Sequence, residues 1–221
     1  IDAPVIRTSS MSRKTINSSA IAGQPGKPRS VQQLVRAAKR DGLPITAEVT
    51  PHHLSLTQEL LASYDSVYKV NPPLRSAEDI RALKDGLRDG TIDAIATDHA
   101  PHPRRDKEMS LDLAPPGMLG LETALGVVLA EGMCEIRDVI ALMSWNPAKI
   151  ARIGSTHGLD VAAGANANLC VFDPELTWSV DPDRLASKST NTPYAGKTLR
   201  GRVRHTIFKG TATVIDGQAQ K

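Results

Sequence analysis

The spacing of apolar positions changes along the chain, and each change predicts a different kind of element. Val31, Leu34, Val35 and Ala38 follow the i, i+3, i+4, i+7 rule of a half-buried helix, with Ser30 as its N-cap and Gly42 as its stop. Past Leu43-Pro44, the run Ile45 to Val49 reads as a strand. The alternation then repeats. Ser76, with Asp79 three residues on, opens a helix carrying Ile80, Leu83 and Leu87, Gly90 stops it, and Ile92 to Thr97 reads as a buried strand. Helix, strand, helix, strand in that order predicts a parallel α/β body.

Beyond Gly117 the pattern is helical over Leu121 to Ala130 and Ile136 to Met143, and a third helix is predicted from Asn146 as N-cap with Pro147 at its first position. From Gly158 onward short β-runs take over, Leu169 to Asp173, Thr177 to Val180, Val203 to Lys209 and Thr211 to Ile215, separated by Pro, Gly and Asn/Asp turns. These readings divide the chain into a mobile tail over residues 1–29, an α/β body over 30–155 and a small β-module over 156–221. The tail has one acid, Asp2, no aromatic residue, and many Ser, Pro, Gly and basic residues, too little apolar surface to offset the entropy of ordering it. Since the chain opens on Ile1 with no signal-peptide pattern, we expect a fragment or processed product.

Composition narrows the function. The 221 residues are 40% apolar, no run approaches the ~18 consecutive apolar residues of a membrane span, and a transmembrane reading is excluded. Lys and Arg number 27 against 24 Asp and Glu, a scattered excess of +3 that does not make a nucleic-acid face. Aromatic residues are only 3%, so the core rests on Leu, Val, Ile and Ala, and stacking platforms for bases are nearly absent. Cys134 and Cys170 lack CxxC spacing, which fits a reducing cytoplasm and neither a zinc ribbon nor a secreted disulfide scaffold.

Candidate chemistry concentrates at two strand ends. Four of the six histidines lie in Pro51-His52-His53 and in Asp98-His99-Ala100-Pro101-His102. The C-terminal ends of strands are where parallel α/β barrels build active sites. A carboxylate at Asp98 beside two histidines suits zinc and a proton-transfer role, and it equally suits a helix N-cap. His52 and His53 are adjacent on a predicted strand and so point to opposite faces, which favours a hydrogen-bonded structural pair over two ligands of one metal. Asn71, ahead of Pro72-Pro73, offers both a donor and an acceptor from a stiff loop, and Gly117, after Ala114-Pro115-Pro116, permits close backbone approach. No GxGxxG, Walker, GxSxG or HExxH motif is present.

Three ordered segments, Thr46 to Leu54, Lys69 to Arg75 and Ala96 to His102, resemble the bacterial dihydroorotases. The resemblance continues through Gly117 to Leu125, Ala167 to Leu169 and Asn191 to Tyr194, and it covers the chain from Ser30 onward as the C-terminal part of such an enzyme. It implies an incomplete TIM-like (β/α) barrel with an appended β-module. The implied activity is a zinc-dependent, reversible interconversion of dihydroorotate and N-carbamoyl-L-aspartate in pyrimidine biosynthesis. In that family the residue matching Asp98 binds zinc and carries the proton of the attacking hydroxide, those matching Asn71 and His102 hold the substrate, and the loop matching Pro116-Gly117 contacts its ring.

The family's other metal ligands lie upstream of Ser30, the last of them near Gln24 or Pro25, and residues 1–29 contain no histidine. The expectation is therefore negligible zinc affinity and no turnover from this chain by itself, together with an apolar face that a homo-oligomer would cover. The alternatives are a related cyclic amidohydrolase, allantoinase or hydantoinase, and a non-catalytic scaffold for aspartate transcarbamoylase.

Overall fold

The computed structural model describes residues 31–158 and 160–220. The tail expected over 1–29 and the cap expected at Ser30 lie outside the described residues. Helix α1 spans Val31–Arg40, and its stripe buries Val35. Strand β1, Glu48–Val49, pairs in parallel with β2, Ala94–Ile95, with Glu48 opposite Ala94 and Val49 opposite Ile95. Between them run a short helix α2, Pro51–Ser55, and α3, Ala77–Arg88. Helix α3 opens on a reciprocal capping box between Ser76 and Asp79, as its sequence spacing predicts.

The two strands are shorter than the apolar runs around them. Only the last two residues of the first run and the centre of the second meet a ladder partner, although Asp93 N–H to Ala47 O (2.8 Å) and Ala96 N–H to Val49 O (3.0 Å) extend the hydrogen bonding by a residue at each end.

Helix α4, Arg104–Lys107, follows, then α5, Ala124–Ala130, and α6, Ile136–Ile140. Helix α6 runs through a wide π-turn at Ala141–Trp145 straight into α7, Asn146–Ile150. The helix boundary expected at Asn146 is thus absent, and Asn146 has helical φ and ψ. Its side chain instead donates to Asp93 O at 2.9 Å, tying the helix to the approach of β2. Pro147 has no N–H for the preceding turn and crowds the carbonyl four residues back, and the wide turn accommodates both.

The β-module is a four-stranded antiparallel sheet in the order β3, Leu169–Ser179; β4, Thr198–Phe208; β5, Thr211–Ile215; β6, Gln218–Ala219. The two runs read at 169–173 and 177–180 are one strand with a register irregularity between Asp173 and Thr177. There Asp173 Oδ1 accepts from the N–H groups of Glu175 and Leu176 and carries the chain past Pro174.

Two apolar clusters hold these parts together. One packs Val35, Val49, Leu54, Leu83, Ile95 and Val128 around the parallel strands. The other joins Val180, Tyr194 and Leu199 of the module to Met118 and Val127 of the body. Gly126 on α5 makes that contact close, because a Cβ there would stand 3.1 Å from Leu199 Cβ. Among the described residues no helix is long and apolar enough to cross a membrane.

Candidate functional site

The chain turns sharply as it leaves β1. Thr50 accepts the His53 N–H on its side-chain oxygen at 3.2 Å, and Pro51 follows at the first helical position, so the strand passes directly into α2. His52 and His53 therefore sit on one helical turn and not on opposite strand faces, with ring centroids 4.6 Å apart. This corrects the strand geometry expected for them.

His53 is fully engaged. Its Nε2–H donates to Pro72 O at 3.0 Å, which leaves Nδ1 to accept the Thr50 hydroxyl at 2.7 Å, and neither nitrogen is free for a metal. Burial holds its pKa below the usual imidazole value, against the opposing pull of the Pro72 and Pro73 carbonyls and the Asp98 charge. His52 is 2% exposed, and burial together with the neighbouring His53 takes its pKa to about 3. Its Nε2 is buried with no hydrogen-bond partner, so only one member of the expected hydrogen-bonded pair has its ring nitrogens engaged.

Asp98 lies three residues beyond β2 with φ of +46°, a left-handed conformation that side chains other than Gly, Asn and Asp adopt rarely. The helix that follows does not begin until Arg104, with Pro103 at its cap, so Asp98 is no N-cap. Its neighbour His99 turns away into the next loop, where Nδ1 accepts the N–H groups of Gly120 and Leu121, each at 3.2 Å. Among the described residues no three His, Cys, Asp or Glu side chains are grouped closely enough to hold a metal ion. The residues around Asp98 do not fit a zinc site by themselves, because such sites require three or four protein ligands.

The remaining expected residues are linked by short hydrogen bonds. Asn71 is exposed and joins Pro72 through a cis peptide, and Pro72 O is the carbonyl that His53 engages. Two residues before Asn71, Lys69 O accepts the Gly117 N–H at 2.8 Å. Gly117 has φ of +139°, and a Cβ there would stand 2.7 Å from both Ala100 Cβ and His102 Nε2. Only glycine fits between these neighbours. His102 Nε2–H donates to Pro116 O at 3.1 Å. The bonds from His53 to Pro72 O, from Gly117 to Lys69 O and from His102 to Pro116 O thus tie together the segments that carry the expected residues, and the Asp98 charge acts on His53.

Two members of this arrangement were not singled out as site residues in the sequence. Lys107 donates from Nζ to Pro115 O and Gly117 O, both at 3.1 Å, and burial with the nearby Lys69 charge lowers its pKa. Asn191 reaches the same loop from the module. Lys107 carries no local signal in the sequence. Asn191 falls within the Asn191-Thr192-Pro193-Tyr194 segment, whose Thr-Pro turn is a weak one.

A model of the amidohydrolase family matches residues 21–213. The chain is 52% identical over 190 residues to the dihydroorotase of Streptomyces coelicolor and 48% identical over 190 residues to that of Mycobacterium tuberculosis, covering 84% of this chain in each case. It spans 44% of the length of either relative. Among solved structures it resembles the L-hydantoinase (dihydropyrimidinase) of Arthrobacter aurescens with a TM-score of 0.79 at 29% identity, over 86% of this chain and 44% of that one. A D-hydantoinase (dihydropyrimidinase) from Thermus sp. has a TM-score of 0.77 at 24% identity, over 87% of this chain and 44% of that one, a likeness of fold alone.

Proposed function

Because this chain belongs to the amidohydrolase family, we propose that it serves a dihydroorotase, as the part that orients dihydroorotate and N-carbamoyl-L-aspartate around Asp98. The observation that carries this reading is the 52% identity to a dihydroorotase against 29% to the hydantoinase, over similar shares of the chain. The bond from His102 to Pro116 O and that from Gly117 to Lys69 O, two residues from Asn71, support it. We assign the body over 30–155 to part of a TIM-like barrel and 156–221 to its appended module. The parallel β1–β2 pair with α3 between its strands is the repeat unit from which such barrels are built.

In the hydrolytic direction a water oxygen attacks the ring amide carbon while its proton passes to the Asp98 carboxylate. The ring C–N bond then breaks and that proton is delivered to the departing nitrogen, giving N-carbamoyl-L-aspartate; cyclisation is the reverse. Asn71 orients polar atoms of the substrate from its exposed loop, and His102 faces the carboxylated end. Gly117 contributes shape only. Its N–H is bonded to Lys69 O and its C=O to Lys107 and Asn191, so the loop offers the ring a surface at van der Waals distance. The family implies a metal cofactor, generally zinc, toward which this chain supplies Asp98. The substrate partners are these two small molecules, and the macromolecular partners that fit are a second copy of the chain or aspartate transcarbamoylase.

The test is a titration of dihydroorotate, allantoin and hydantoin into the purified chain, read from the His102 ring and the Asn71 side-chain amide by NMR. Zinc content and turnover are measured alongside. Selective perturbation by dihydroorotate is expected, with negligible zinc and no turnover from this chain by itself. A preference for hydantoin or allantoin would overturn the substrate assignment, and stoichiometric zinc with turnover would overturn the assignment of Asp98 as its sole metal ligand. The scaffold reading is favoured by one observation, the lack of a metal-binding group among the described residues. It predicts tight binding to aspartate transcarbamoylase with no response of His102 to any of the three compounds.

A further inference from the structure

We infer that Asn191 is a positioning residue that sets the geometry of His102 and of the Pro116-Gly117 loop from a distant segment of the chain. Asn191 is 6% exposed and stands 74 residues in sequence from Gly117 and 89 from His102. Its amide makes three hydrogen bonds. Oδ1 accepts the His102 N–H at 3.2 Å, while Nδ2 donates to Ala100 O at 3.0 Å and to Gly117 O at 3.3 Å. Its own carbonyl accepts the Leu119 N–H at 3.0 Å. One residue thus grips both sides of the contact in which His102 Nε2–H meets Pro116 O.

The chemistry of the grip requires an amide. Ala100 and Gly117 present two carbonyl oxygens and His102 presents one N–H, so the residue between them must donate twice and accept once within a few ångströms. Among short side chains only the carboxamide of Asn does this. A carboxylate would set an anion against two carbonyls. A hydroxyl donates once, so it can hold Ala100 O or Gly117 O but not both. Lys107 shares the Gly117 carbonyl, but it touches neither Ala100 nor the His102 backbone in the bonds it makes, so it holds one side of the contact where Asn191 holds both.

His102 and Gly117 matter to function only under the dihydroorotase reading, on which this inference therefore rests for its significance. The test separates the two. With histidine labelled in 15N, the solvent exchange of the His102 Nε2–H reports the bond to Pro116 O in the free chain, with no substrate present. Asn191→Asp and Asn191→Ser are expected to speed that exchange about tenfold or more, as loss of a hydrogen-bonded orientation does, while protection of the Ala96 amide bonded to Val49 O stays unchanged. Tyr194→Phe, three residues away on the same segment, removes the 2.8 Å bond to Ser55 and is expected to leave His102 exchange as it was.

The inference is overturned if His102 exchange is unmoved in both Asn191 variants, or if Tyr194→Phe moves it as far. It is equally overturned if both Asn191 variants fail to fold, since Asn191 would then be a determinant of the fold as a whole. If the variants behave as expected but dihydroorotate leaves His102 unperturbed in the parent chain, the positioning role stands and the substrate reading falls.

Discussion

At the scale of single residues, His52 is the most displaced titrating group whose value falls in the acid range. Its pKa of about 3 lies below the unfolded value of 6.5, so between those limits the unfolded chain binds the extra proton. The stability it confers is complete above pH 6.5 and is lost as pH falls toward 3, at up to about 1.4 kcal/mol per pH unit. His53, also held down by burial, acts with the same sign. His52→Leu removes a buried nitrogen that lacks a partner and is expected to flatten the urea-derived stability slope between pH 6 and 4 by up to about 1 kcal/mol per unit. An unchanged slope in that variant would refute the assignment. That Asp98 follows closely on a strand was readable from the apolar run before it, although the strand itself ends three residues earlier, at Ile95. That it bends into a left-handed conformation, and that His99 turns from it toward Gly120, follows from packing between loops some twenty residues apart.

At the scale of elements, local chemistry was the more legible the more its partners were neighbours in sequence. The α3 capping box is closed within four residues, and the spacing of Ser76 and Asp79 announced it. Ser76→Ala is expected to cost about 1 kcal/mol and to lower Tm by ~2–4 °C for a chain of this size, measured by calorimetry. Where a distant contact competes, local signals misled. Asn146-Pro147 carries the mark of a helix start, yet the Asn146 side chain is taken by Asp93 O and the backbone stays helical across the π-turn. His52 and His53 extend an apolar strand pattern, yet Thr50 caps them into a helical turn.

At the scale of the whole molecule, the core shared by Leu199, Val127 and Met118 couples the β-module to the α/β body. Leu199→Ala is expected to cost ~2–5 kcal/mol and to raise hydrogen exchange together at the Val180 amide, bonded to Lys197 O in the module, and at the Ala96 amide in the body. Faster exchange at Val180 alone would mean that the two parts open independently. The same coupling is what allows Asn191, a residue of the module segment, to reach a loop of the body.

The sequence by itself determined the helical and β-rich regions, the strand that delivers Asp98 and the family of the chain, because periodicity, caps and ordered motifs are written between near neighbours or in residue identity. Only the tertiary structure decided which of the site's polar atoms are already bonded. His53 is consumed by Thr50 and Pro72, Gly117 by Lys69, Lys107 and Asn191, and Nδ1 of His99 by Gly120 and Leu121. Most of those partners are tens of residues apart along the chain. A buried donor or acceptor is satisfied by whatever folding brings within about 3 Å, and no local pattern records that choice.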